Sequence, residues 1–259
     1  MEKLTIKNRD GLDVAVTVEE GTKGRLAFIA HGLGGFKEQE HLRAFAEAFK
    51  EAGYTVVSWD ATHSLGESGG DYGDATTTGY YADFEDVIQW AAGQSWYAEP
   101  FVLCGHSLGG YCSAMYAEQH PDKVKAIAPI STMVSGQLTH DAERASTPDK
   151  LAEWERSGVR VSESKSKPGQ MKRLKWSHME DRLKHDLIPN VGQLTMPVLL
   201  VVGEDDQTTP AEHQRLFLDA IPAKQKELHV IKGAGHTPRE PQHLAEAKAL
   251  FSNWLNRIG

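Results

Sequence analysis

No apolar run in this 259-residue chain approaches the roughly eighteen residues that a membrane-spanning helix requires. The opening stretch, Met1 to Val14, also lacks the apolar core of a secretory signal, so a cytoplasmic location and no membrane partner are expected. Positive charge is in short supply. The 28 Lys and Arg residues are outnumbered by 36 Asp and Glu, giving a net charge of -8. Nucleic acid and anionic membranes are thereby poor partners, because both require a basic face, and a small soluble substrate fits better. Cysteine is nearly absent. Cys104 and Cys112 have the wrong number and spacing for a metal site and read as small buried fillers, so neither metal ion nor cofactor is expected. No Pro/Gly/Ser-rich linker divides the chain, and a hydrophobic content of 40% can bury one large core, which implies one domain.

What is present is a regular alternation. Continuous apolar runs bounded by turn residues occur at 26–30, 54–59, 101–105, 124–130, 198–203 and 227–231, as expected for strands buried on both faces. Helical patterns fall between and after them, at 41–52, 79–92, 108–119, 211–220 and 243–258. The order predicts an α/β fold, a doubly wound and mostly parallel sheet with ligands at the carboxyl ends of its strands. Residues 3–7 and 12–18, joined at Asp10-Gly11, read as an antiparallel hairpin on the sheet edge. The alternation breaks between about 132 and 191, where an insertion is expected to fold over the active site as a cap. Its basic run, from Arg160 through Lys165, Lys167, Lys172 and Arg173 to Lys175, could favour an anionic substrate, although a solvated basic face is the simpler reading.

The chemistry centres on Gly105-His106-Ser107-Leu108-Gly109, a G-x-S-x-G segment between an apolar strand and a helix. A serine on such a turn has a strained backbone, and the flanking glycines leave room for it. The helix N-terminus directs N–H groups at the place where negative charge would develop. A serine hydroxyl needs a base, and the base needs an acceptor to orient it. Both are expected after later strands, in the order serine, acid, histidine. Glu204, Asp205 and Asp206 follow the strand at 198–203, and spacing does not choose among them. Of twelve histidines, His236 alone follows the last strand in a glycine-rich loop. The sequences Thr209-Pro210-Ala211-Glu212 and Thr237-Pro238-Arg239-Glu240 both read as helix-capping patterns.

These motifs, together with His31-Gly32-Leu33-Gly34-Gly35 after the first parallel strand, resemble an α/β-hydrolase of the serine esterase type over nearly the whole chain. The resemblance implies Ser107, Asp206 and His236 as a catalytic triad, Asp206 being the last residue of G-x-x-D. It also implies an oxyanion hole from the N–H groups of Leu33 and Leu108. Gly32, Gly34, His106, Trp154 and Trp176 are the candidate substrate-binding residues. The insertion is similar to the caps of cinnamoyl and feruloyl esterases and of the monoglyceride-lipase-like branch, which suggests small-molecule esters with small to medium acyl groups. Thioesterase, peptidase, acyltransferase and C–C hydrolase activities use the same triad, and a receptor-like binding module is the reading from a different class. One departure stands out: Asp60 to Gly70 is a residue longer than the usual D-x-x-G-x-G-x-S loop and lacks its first glycine, at a place expected to border the pocket. Oligomeric state is left open.

Overall fold

The structure is a computed structural model that describes residues 1–259. Its sheet has eight strands: β1 (Glu2–Lys7), β2 (Asp13–Glu19), β3 (Leu26–Ala30), β4 (Thr55–Trp59), β5 (Phe101–His106), β6 (Val124–Ile130), β9 (Val198–Gly203) and β10 (Lys226–Ile231). In space they run β1-β2-β4-β3-β5-β6-β9-β10. The β1–β2 hairpin joins β4 in antiparallel fashion at the edge, and all pairings from β4 onward are parallel. The expected strands are therefore present, displaced by no more than a residue at their ends.

Alternation within each parallel strand divides the core in two. Phe28, Leu103, Ile127 and Leu200 point to the side covered by α2 (Thr77–Ala91), α3 (Leu108–Gln119) and α7 (Ala211–Ala220). Ile29, Cys104, Ala128 and Val201 point to the other side, against α1 (Glu40–Glu51) and α8 (Pro241–Ile258). There Phe45 stacks on Phe251, with centroids 4.5 Å apart. Burial on both faces is why these strands read as unbroken apolar runs. Cys104 and Cys112 are both buried and unpaired.

Between β6 and β9 the chain forms α4 (Gly136–Ser146), α5 (Pro148–Ser157), an antiparallel hairpin of β7 (Val159–Glu163) and β8 (Met171–Lys175), and α6 (Ser177–Arg182). Trp154 is the core of this segment. Its indole N–H donates to the Leu174 carbonyl at 2.9 Å, its ring meets Trp176 edge-on at 5.1 Å, and the Arg160 guanidinium lies 3.9 Å above it. A large aromatic with a satisfied N–H is what a small subdomain needs to hold its layers together. Both tryptophans are spent on internal packing, and this corrects the expectation that Trp154 and Trp176 bind substrate.

Two capping expectations also fail. Helix α7 begins after Pro210 with no side-chain cap, because the Thr209 hydroxyl is engaged elsewhere. Helix α8 begins at Pro241, so the proline at the first helical position is Pro241, while residues 237–240 stay outside the helix.

Candidate active site

Ser107 sits between β5 and α3 with φ 56° and ψ -114°, outside the regions that L-residues ordinarily populate. The turn is possible because the backbone closes on itself at its two glycines. A Cβ on Gly105 would lie 2.2 Å from the Gly109 carbonyl oxygen, and one on Gly109 would lie 2.4 Å from that of Ala30. The Ser107 N–H is tied to Ile130 O at 2.8 Å, which fixes the turn to the end of β6.

The loop after β10 brings His236 to this serine. His236 Nε2 is 3.0 Å from Ser107 Oγ, and Nδ1 is 2.9 Å and 3.1 Å from the two oxygens of Asp206. Of the three adjacent carboxylates, Asp206 alone meets the ring. Glu204 turns outward to accept the Gly233 N–H, and Asp205 is exposed. Asp206 is buried and accepts the N–H groups of Thr208 and Thr209 at 2.9 Å each. Burial alone would raise its pKa. Hydrogen bonding to His236, the ring's charge and the two N–H groups outweigh burial and hold the carboxyl well below the usual range.

Thr209 belongs to this network and does not cap the following helix. Its single O–H lies 2.9 Å from Asp206 Oδ2 and 2.8 Å from the Ser131 carbonyl, and it can serve one of them at a time. The D-x-x-T spacing, in which a side chain folds back on nearby N–H groups, is the signal that could have found it.

The turn after β3 carries Gly32, Leu33 and Gly34 to the other side of Ser107. The Leu33 N–H donates to no acceptor in the protein, and the Leu108 N–H belongs to the first turn of α3, where no intrahelical acceptor exists. Two supports hold this turn. His31 accepts the Ala61 N–H on Nε2 at 2.9 Å, leaving Nδ1 to donate to Gly32 O at 2.8 Å. Lys37 is buried with Asp60, its ammonium 2.7 Å from that carboxylate and 2.6 Å from Glu67. The 60–70 loop therefore buttresses the turn from behind. None of its residues lines a cavity at Ser107, contrary to expectation.

Two cavities meet at Ser107 and His236. One, of about 530 Å³, is lined by Gly32, Gly34 and His106, with Lys165, Lys172 and Arg239 across from them, and Leu33 is its only apolar side chain. The other, of about 720 Å³, lies toward Tyr72, Met133 and Glu143. Neither touches Trp154 or Trp176. His106 is buried with Nε2 2.8 Å from the His236 carbonyl oxygen, and burial pushes its pKa down to about 3. It lines the cavity as a neutral ring that fixes the His236 loop. No cluster of side chains suited to a metal ion occurs.

A doubly wound sheet with a serine on a strained strand-to-helix turn, and a histidine and a buried carboxylate delivered by later loops, defines the chain as an α/β-hydrolase. The family model described as Serine aminopeptidase, S33, matches residues 22–180 and 172–240, and the chain belongs to that family. The chain is 28% identical to the 31.7 kDa protein of the traX-finO intergenic region of Escherichia coli, over 89% of this chain and 90% of that one. It is 24% identical to the mitochondrial palmitoyl-protein thioesterase ABHD10 of Mus musculus, over 84% of this chain and 71% of that one. Among solved structures, Est1E from Butyrivibrio proteoclasticus with ferulic acid bound superposes with a TM-score of 0.82 and 21% identity, each chain covered to 98%.

Proposed function

We propose that the protein is a serine hydrolase cleaving carboxylic esters of small to medium acyl groups through an acyl-enzyme on Ser107. The reading rests on the continuous line from Ser107 Oγ through His236 to the Asp206 carboxylate. His236 Nε2 takes the serine proton as Oγ adds to the carbonyl, and the ring then returns that proton to the departing alcohol. Water repeats both transfers on the acyl-enzyme and frees the acid. Asp206 stays ionised throughout and stabilises the imidazolium, for which its low pKa suits it. The N–H groups of Leu33 and Leu108 receive the developing oxyanion, each donor contributing about 3 kcal/mol to the transition state.

Short aliphatic acyl groups suit the site better than aromatic ones, since both tryptophans of segment 132–191 are turned away from it. That segment acts as a cap, contributing Ser162 and Lys172 to one cavity and Arg160 and Arg182 to the other. An aminopeptidase activity is disfavoured, because a substrate amino terminus needs a free carboxylate. Glu143 is committed to Arg160 and Arg182, and Glu163 accepts the Gly169 N–H. A thioester is the second reading, supported by the name of the mouse relative.

The test is labelling of Ser107 by a fluorophosphonate probe, together with turnover of 4-nitrophenyl esters of graded acyl length, a butyryl thioester and an aminoacyl anilide. Labelling that is lost in Ser107→Ala, with butyrate turned over faster than the anilide, is expected. Turnover surviving Ser107→Ala would overturn the reading.

A further inference from the structure

The hairpin of segment 132–191 sorts its basic run by face. Residues on a strand alternate, so Arg160 and Ser162 on β7 lie on the same side as their partners Leu174 and Lys172 on β8. Leu174 is buried, which identifies this side as the inner one. Arg173 and Lys175 point the other way and are exposed, and Lys175 pairs with Asp74. Lys167 is occupied as well, its ammonium on the Leu65 carbonyl and over the Phe36 ring.

Lys172 has no such occupation. It is partly buried, lines both cavities that meet at Ser107, and makes no ion pair. Burial lowers its pKa, and the charged groups that act on it, Arg160, Lys165 and Arg239, are all cations that lower it further. Arg239 likewise lacks a carboxylate partner. Its guanidinium bonds Ser166 Oγ at 3.2 Å, which brings the loop after β10 against the hairpin. Each cavity thus has three Lys or Arg side chains against one glutamate, in a chain whose net charge is -8. A desolvated ammonium among like charges is costly in the free protein, and an arriving anion removes that cost.

We propose that the substrate carries a carboxylate or phosphate away from the scissile carbonyl, and that Lys172, flanked by Arg239 and Lys165, receives it. This rests on the ester hydrolase reading above and narrows it to anionic esters. The group need only reach from Ser107 across the cavity that both residues line.

Two matched pairs of esters test this. Mono-4-nitrophenyl glutarate against 4-nitrophenyl butyrate places the charge on the acyl side, and 4-acetoxybenzoate against phenyl acetate places it on the leaving group. A third anion, 4-acetoxyphenyl phosphate, separates phosphate from carboxylate. Relative to its neutral partner and to their chemical hydrolysis rates, one anionic ester is expected to show kcat/KM raised about tenfold, as a charge-assisted contact implies. Lys172→Gln should erase most of that ratio, chiefly through KM. Lys172→Arg should keep it, and salt should reduce it. A merely structural role would move both members of a pair together and leave the ratio unchanged. In parallel, calorimetry compares monomethyl glutarate with dimethyl glutarate on Ser107→Ala protein, and a preference for the anion that vanishes with Lys172→Gln is expected. Absence of turnover on every ester would sink the hydrolase reading, while the calorimetry would still decide the anion site. Ratios at or below one in every pair, or equal binding of the two glutarates, would overturn the proposal.

Discussion

The Asp206 carboxylate is met by His236, by two main-chain N–H groups and by the Thr209 hydroxyl, and each bond favours its charged form. Asp206→Asn keeps the shape but replaces one acceptor oxygen with a donor, which leaves the His236 ring in the wrong tautomer. A loss of kcat on the order of 10⁴-fold is expected, with KM little changed, measured on 4-nitrophenyl butyrate. Thr209→Val is the milder probe. It removes the O–H shared between Asp206 and the Ser131 carbonyl while both N–H bonds to Asp206 remain. One such bond contributes about 0.5–1.5 kcal/mol, so kcat should fall roughly three- to tenfold. An unchanged kcat in Thr209→Val would mean that the hydroxyl serves Ser131 alone.

Elements with strong periodicity or punctuation were legible in the chain, and those set by side-chain partners were not. The six apolar runs and the G-x-S-x-G turn each follow a local rule, so the sheet and the position of Ser107 could be read directly. Thr209 could not, since a threonine before a helix satisfies a cap as readily as it braces an aspartate. Nor could the inward set of the basic run, which depends on the β7–β8 register. Trp154 and Trp176 were misplaced for the same reason: a large aromatic in an insertion serves packing or binding equally well until its neighbours are known. Two substitutions probe these elements. Gly109→Ala places a methyl 2.4 Å from the Ala30 carbonyl oxygen, and rigid backbone on both sides leaves nowhere to relax. A destabilisation of several kcal/mol, above the usual 1–3 kcal/mol of overpacking, is expected in urea unfolding. Trp154→Ala empties the centre of segment 132–191 and should cost about 3–5 kcal/mol. Because Trp154 packs within this segment, the loss should appear as faster proteolysis between 147 and 176, ahead of the sheet.

At the scale of the whole molecule, the fold buries several histidines and thereby couples its stability to acid. His106 and His178 are buried, and burial, the largest cause for both, lowers each pKa to about 3. Cationic neighbours act in the same direction, Arg239 on His106 and Arg182 on His178. In the unfolded chain the same rings titrate near 6.5, or about 6.5 as free side chains. Between those values the unfolded state binds protons that the folded state refuses, so stability is full above about 6.5 and drains as pH falls toward 3. Each ring contributes a slope of at most about 1.4 kcal/mol per pH unit. Asp206 acts in the same direction but in another window. Its folded pKa is depressed, so its contribution is present above the unfolded value of about 3.9 and is lost only below it. Loss of stability between pH 6.5 and 5 is therefore about 2–4 kcal/mol for this pair, to which His31 and His41, lowered by burial in the same way, add, and against which Glu118, raised by burial to about 8, acts with the opposite sign. Urea unfolding at pH 7, 6 and 5 reads this directly. His178→Gln, which keeps a donor for the Ala75 carbonyl and cannot charge, should reduce the slope by at most about 1.4 kcal/mol per pH unit, the contribution of one ring. An equal slope in His178→Gln and the unaltered protein would place the acid sensitivity elsewhere.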